Sequence, residues 1–261
     1  MSIFVIKAGG RSAESSESIA ALAVEIGDLV QKGHHIVFVH GGGAAVSAIQ
    51  KQYELEPRFI DGKRLTSARE MDLVDMGLSG LMNTHLVRIF QTAGLKPVGL
   101  SGADGSLFLS TDATGADGNE NRTGSVSKVN PTLIHLLLEH EYFPVICSVS
   151  TDSCGRGMNI NADEAALALA VALNAESLIF ISDIPGILIE GTVVPSMNEQ
   201  FIEDSIGNGE IQGGMIPKVR SSLEAIRQGV HNIQISNYEN QGDLSKIIAR
   251  IKGTCITLED K

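Results

Sequence analysis

Positive charge is scarce in this chain. Across 261 residues, 20 lysines and arginines stand against 31 aspartates and glutamates, a net charge of −11. That balance argues against a nucleic-acid or anionic-membrane surface and leaves room for a local basic pocket only. Cysteine is sparse as well. Cys147, Cys154 and Cys255 show no CxxC spacing, and their odd number points to a reducing compartment. No basic segment precedes an apolar stretch, and no apolar run reaches membrane length, so a soluble cytoplasmic protein is expected. Several catalytic signatures are missing: there is no GxxxxGK[ST] string, no HRD or DFG set and no GxSxG elbow. The histidines have no metal-ligand spacing, and no protein-held metal is expected.

What is present is ordinary globular composition, with 43% hydrophobic and 20% charged residues, and a repeated βα pattern. Ile3, Phe4, Val5 and Ile6 describe a buried strand that ends in Lys7 and runs into Gly9-Gly10. Ile19, Leu22, Ala23, Ile26, Leu29 and Val30 then fall on one helical stripe. A second strand over 35–40 runs into Gly41-Gly42-Gly43 and another helix. Two buried strands that each feed a glycine turn and a helix imply a parallel sheet, with both turns at the carboxyl ends of the strands.

Further along, the pattern predicts a hairpin at 58–64 turning on Asp61-Gly62, a long helical stretch over 67–93 and a short strand at 97–100. Residues 111–128 read as a surface hairpin or mobile loop. A helix over 130–139, a strand over 142–149 and an alanine-rich helix ending at Leu173 follow. The rest reads as a strand at 178–181, a hairpin at 187–194, a helix ending at Gln228, and closing elements at 232–235, 243–250 and 254–258. One continuous, mostly parallel sheet with helices on both faces is expected.

Four groups have the chemistry of an anion site. They are Lys7 with Gly9-Gly10, the turn Gly41 to Gly43, Asp163 with Asn159 and Asn161, and Lys218 after Gly213-Gly214. Two lysines, many backbone N–H groups and one carboxylate suit phosphate binding better than hydrolysis. His40, beside the glycine turn, is a candidate positioning residue.

These strings have an order. Lys7-Ala8-Gly9-Gly10, His40-Gly41-Gly42-Gly43, Asp61-Gly62-Lys63-Arg64-Leu65-Thr66, the run from Val98 to Gly105, Asn159-Ile160-Asn161-Ala162-Asp163 and Gly213-Gly214-Met215-Ile216-Pro217-Lys218 resemble the motifs of the amino-acid kinase family over nearly the whole chain. Within it they are most similar to the branch that phosphorylates N-acetyl-L-glutamate for arginine biosynthesis. The resemblance implies a three-layer α/β/α sandwich around a mainly parallel sheet. Residues 1–175 would form an acyl-acceptor and dimerisation lobe, and 176–261 an ATP lobe, on one sheet. It implies Lys7, Lys218 and Asp163 as catalytic residues, with Asp163 between the two ammonium groups. Gly42, Gly43, Arg64, Asn159 and Asn161 would bind the acceptor, Arg64 gripping a carboxylate with its fork. Gly9, Gly10, Asp183, Gly213 and Gly214 would serve ATP, with Mg²⁺ carried on the nucleotide phosphates.

Thr84-His85 stands where the family often has a basic residue after Asn83, which bears on the acceptor. Two alternatives follow: a kinase acting on aminoadipate or glutamate bound to an acidic carrier protein, and a non-catalytic amino-acid or nucleotide sensor. The −11 charge opposes the carrier, and retention of both lysines and Asp163 opposes the sensor. The first strand begins at residue 3, without the N-terminal helix of the family's arginine-sensitive hexamers. A homodimer insensitive to arginine is therefore expected, with the 67–93 helix at its interface. Light scattering should give a dimer mass and arginine should leave turnover unchanged; a hexamer or clear inhibition would overturn this expectation.

Overall fold

The computed structural model describes residues 2–9, 15–60, 63–113 and 121–258. β1 (Ile3–Ala8) lies inside an eight-stranded sheet, because its apolar residues on both faces need cover from both sides. β2 (His35–His40) and β11 (Ser177–Ile181) flank it, both parallel to it. Beyond β2 come β8 (Phe143–Cys147) and β5 (Pro97–Ser101). Beyond β11 come β15 (Ile233–Ser236), β16 (Thr254–Ile256) and the short β14 (Ser196–Met197). Pairing is parallel throughout this sheet except between β15 and β16. The chain thus leaves β1 in both directions along the sheet, and a crevice opens at the carboxyl ends where the two directions part.

Side-chain alternation divides the core into two layers. Phe4, Ile6 and Ala8 pack with α1 (Ser16–Gln31), α4 (Thr84–Thr92) and α9 (Asp243–Ile248). Val5 faces the opposite layer, made by α5 (Thr132–Glu139), α6 (Ala162–Ala172) and α8 (Met215–Arg227). β2 and β11 divide in the same way, with Val37, Val39, Leu178 and Phe180 on the α6–α8 side. The result is the expected three-layer α/β/α sandwich on a mainly parallel sheet. Lys7 shares the odd parity of Val5, so alternation turns it toward α6 and α8.

The remaining helices are α2 (Gly43–Gln52), α3 (Ala68–Val74) and α7 (Glu199–Gly207). α3 starts at a capping box in which Ser67 and Glu70 satisfy each other's backbone N–H groups. The helical stretch expected at 67–93 is helical, but Asp75–Asn83 between α3 and α4 is wound as a π-helix, a rare geometry that tends to appear at functional sites. Gly77 within it lets α2 approach, since a methyl there would lie 3.0 Å from Val46 Cγ2, whereas Gly80 is exposed.

A single sheet is too simple a description. β6 (Phe108–Asp112), β7 (Thr123–Val129), β9 (Val149–Thr151) and β10 (Gly157–Ile160) close into a small barrel beside the main sheet. The strand expected at 142–149 accordingly ends at Cys147, and the chain passes into the barrel at Val149. Of the surface hairpin or mobile loop expected at 111–128, the structure shows the hairpin, with β6 and β7 paired antiparallel, while 114–120 lie outside the described residues. β3 (Arg58–Ile60) and β4 (Lys63–Leu65) pair as the expected hairpin, and its Asp61-Gly62 turn also lies outside them. β12 (Leu188–Ile189) and β13 (Thr192–Val193) form the second hairpin around Glu190 and Gly191, whose φ values of 50° and 78° give the doubly left-handed turn such hairpins favour.

One glycine has a structural duty that its exposure conceals. A methyl on Gly99 of β5 would overlap Asn83 Oδ1 and approach Val87 Cγ2 to 3.0 Å. Asn83 is buried and cannot swing away without losing its bonds to Val145 O (2.9 Å) and His40 Nε2 (3.0 Å). Gly99→Ala should therefore destabilise the fold by about 1–3 kcal/mol in urea unfolding, and an unchanged midpoint would contradict this packing.

Candidate active site

Three separate elements deliver the charged cluster. Lys7 ends β1, Asp163 lies in the first turn of α6, and Lys218 lies in the first turns of α8. Lys7 Nζ reaches Asp163 Oδ1 at 2.7 Å, and Lys218 Nζ reaches Oδ2 at 3.3 Å. Asp163 is fixed because Asn161 caps α6, its Oδ1 accepting from Asp163 N at 2.8 Å. Lys218 is steadied by the Phe180 ring, 4.8 Å from Nζ to centroid. Burial pushes the Asp163 carboxyl up, but the charges and hydrogen bonds of Lys7 and Lys218 outweigh it and hold the group below the usual carboxylate range. The Lys7, Lys218 and Asp163 side chains keep 14, 20 and 31% of their surface open, so an anion can reach the ammonium groups. Two positive charges and one negative leave the cluster net positive.

Gly9 makes space for that cluster. A methyl there would collide with Lys7 Nζ, so only glycine lets the lysine fold over the turn. The Gly9 N–H donates to Ile181 O at 3.3 Å, so a bond from it to a phosphate requires this one to open. Gly10 lies outside the described residues. Asp183 is exposed in the turn after β11, and Gly213 and Gly214 are exposed at the N-terminus of α8. Gly214 borders the groove that Asp163 and Lys218 also line.

The acceptor-side residues converge on one cavity of about 180 Å³, lined by Gly42, Gly43, Arg64, Asn159 and Asn161 among others. A methyl on Gly42 would come within 2.8 Å of Leu78 Cδ2, which explains a glycine where the turn meets the π-helix. Arg64 is held by α2: it donates to Gln50 Oε1 (2.5 Å), Gly43 O (2.9 Å) and Ser47 Oγ (2.9 Å). Gln50 in turn donates to the buried Glu70 at 3.1 Å. Burial lowers the Arg64 pKa, partly offset by Glu70. Among the described residues, three of its five N–H donors have partners, which leaves two for a ligand. Asn159 Nδ2 donates to Thr66 Oγ1 at 2.9 Å and thereby ties the barrel to the β3–β4 hairpin. The supports Ser47, Gln50, Glu70 and Asn83 carry no local sequence signal as site residues. Only the Ser67-x-x-Glu70 cap is visible as a pattern.

His40 proves to be structural. It is fully buried, its Nδ1–H donates to Gly41 O at 2.7 Å, and its Nε2 accepts from Asn83 Nδ2 at 3.0 Å. That pairing needs the neutral ring and pins the first carbonyl of the glycine turn.

The model of the "Amino acid kinase family" matches residues 2–237. The chain is 37% identical to an acetylglutamate kinase of Leptospira biflexa, over 91% of this chain and 88% of that one. It is 38% identical to an acetylglutamate kinase of Ruegeria sp., over 87% and 79%. Among solved structures it is similar to smu.665 of Streptococcus mutans, with TM-score 0.80, 27% identity and 98% and 99% coverage. A carbamate kinase of Giardia shares the fold, with TM-score 0.73, 17% identity and 99% coverage of both chains.

The buried ring makes acid stability a test of this site. Burial pushes the His40 pKa from 6.5 to about 4, against a smaller upward pull from the Gly41 carbonyl. Between those values the unfolded chain binds a proton that the folded one refuses, so stability falls as pH drops from 6.5 toward 4, by about 3 kcal/mol in all. Urea unfolding from pH 7 to 4.5 should show a shallower decline for His40→Gln than for the parent; parallel curves would exclude the neutral, buried ring.

Proposed function

Because the chain belongs to the amino acid kinase family, we infer that it transfers the γ-phosphoryl group of ATP to the side-chain carboxylate of N-acetyl-L-glutamate, forming the acyl phosphate. The observation that carries this reading is Asp163 bridging Lys7 and Lys218 at the carboxyl end of the sheet. The acetylglutamate kinase relatives support the acceptor.

The chemistry explains why so few groups are needed. The nucleophile is a carboxylate, already ionised at neutral pH, so its oxygen attacks the γ-phosphorus without a general base. The new bond is O–P, the bond between the γ-phosphorus and the β,γ-bridging oxygen breaks, and ADP leaves with the electron pair. Asp163, with both oxygens on lysines, is unsuited to act as a base, and so is His40, with both nitrogens bonded. What remains is to bring two anions together and to neutralise charge on the transferring group. Lys7 serves the transferred phosphoryl oxygens and Lys218 the leaving β/γ side, with Asp163 limiting their mutual repulsion. Gly42 and Gly43 offer N–H groups to the acceptor side, where Arg64, Asn159 and Asn161 hold the amino-acid end. Asp183, Gly213 and Gly214 border the nucleotide. Among the described residues no group of three acidic, histidine or cysteine side chains is placed to hold a metal. Mg²⁺ carried on the nucleotide phosphates would supply further charge neutralisation.

In this reading residues 1–175 carry the acceptor and 176–261 the nucleotide. Exposed Met76 and Leu81 on the π-helix support a homodimer contact there. The place proposed for the protein is the cytoplasm, in arginine biosynthesis; no described helix is long and apolar enough to cross a membrane.

An ATP-dependent hydroxylamine trap tests the reading, with N-acetyl-L-glutamate, glutamate and aminoadipate supplied side by side. Hydroxamate should form from N-acetyl-L-glutamate alone, and Lys7→Met or Lys218→Met should each lower kcat by about 10²–10³-fold with the fold intact. Silence with all three acceptors despite ATP binding would point to a carrier-bound substrate or a sensor. Near-normal turnover in either variant would remove that lysine from the mechanism.

A further inference from the structure

The acceptor cavity has a neighbour. A groove of about 700 Å³ runs along α6 and α8; Asp163, Lys218 and Gly214 border it together with an apolar wall of Leu167, Ala168 and Val171. Lys63 and Asn161 border both spaces. Asn161 is committed to capping α6. Lys63 stands one residue before Arg64 on β4 and turns the other way, as strand alternation requires. Its Nζ donates to Ser125 Oγ at 2.7 Å and to Glu164 Oε2 at 3.0 Å. The other Glu164 oxygen accepts from Val126 N at 2.8 Å. One side-chain pair thus joins the hairpin, the barrel strand β7 and the helix that carries Asp163, at the point where the small cavity meets the large groove.

We propose that the Lys63–Glu164 bridge is the wall that limits the size of the acceptor. Lys63 lines both the 180 Å³ cavity and the groove, and Glu164 lines the groove; in this proposal the pair separates the two spaces, and its removal joins them. The proposal rests on the acyl-acceptor reading above and names the class it excludes: glutamates bearing an apolar N-acyl group longer than acetyl. With the wall in place, each added methylene must be accommodated in a cavity already filled. With it removed, the chain lies along Leu167 and Val171, and each buried methylene improves binding by about fourfold. The pair is suited to this duty because about a third of each side chain is exposed (33% and 30%). It contributes little to stability, so its removal leaves a folded protein.

The test compares hydroxamate formation from N-acetyl-, N-butanoyl- and N-hexanoyl-L-glutamate by the parent, Lys63→Ala, Glu164→Ala and Lys63→Arg, each checked by circular dichroism. The parent should prefer acetyl over hexanoyl by at least about 10-fold in kcat/KM. Both alanine variants should raise the hexanoyl-to-acetyl ratio by about 10-fold or more while the KM for ATP stays within about twofold. Lys63→Arg, which keeps the bridge, should retain the parental ratio. If the parent makes no acyl phosphate from N-acetyl-L-glutamate, the acceptor reading fails and this proposal with it. If the parent is active but either folded alanine variant keeps the parental ratio, the wall fails alone, whether or not turnover has fallen. Equal use of hexanoyl and acetyl by the parent would likewise refute it. Should Glu164→Ala not fold, Glu164→Gln and Lys63→Ala carry the comparison.

Discussion

Two ammonium groups placed to meet one phosphate repel each other, and a single carboxylate lets this chain keep both. Asp163 gives one oxygen to each lysine, and their charges hold its carboxyl below the usual carboxylate range against the opposing effect of burial. The rest of the architecture serves that contact. Lys7 arrives because it falls on the odd-numbered face of β1, Asp163 because Asn161 starts α6 directly behind it, and Lys218 because α8 lies beside α6 on the same face of the sheet. A register slip of one residue in β1 would turn Lys7 into the opposite layer among Phe4 and Ile6, away from Asp163 and Lys218.

The acceptor side is built by a different principle. There the recognition groups lie on short, thinly covered elements, a three-residue hairpin strand and a small barrel, that gain rigidity from one another. Arg64 leans on α2, α2 on the capping residue of α3, and Asn159 on Thr66. Neutral His40 and Asn83 join the glycine turn to the end of the π-helix, and Gly99 is the space that permits it. The lysine–aspartate cluster stands on the main sheet and the helices over it, whereas Arg64 stands on the hairpin, so the two are held by different contacts.

The sandwich and the lysine–aspartate cluster were legible in the sequence because their signals are local and redundant. Buried strands run as unbroken apolar stretches, glycine turns follow them, and the Asn159-to-Asp163 and Gly213-to-Lys218 strings are long enough to be specific. The barrel was not, because β9 and β10 are three and four residues long and β6 and β7 carry serine, threonine and glycine where a strand pattern would show. Its closure also depends on a parallel pairing of β7 with β10 across distant positions. The supports of Arg64 were hidden for a similar reason. Gln50 and Glu70 have no periodicity that marks them, and they acquire meaning only when α2 and α3 are brought side by side. The π-helix was read as ordinary helix because its composition is that of one.

Lys7, Asp163 and Lys218 come from the beginning, the middle and the far part of the chain, the two lysines 211 positions apart. The cluster is complete only where β1 lies parallel to β11 and α6 and α8 share one face of the sheet. Non-local pairing of this kind is slow and comes late in folding. The lysine–aspartate cluster therefore exists only in a chain whose long-range strand order, the order that creates the crevice, is complete.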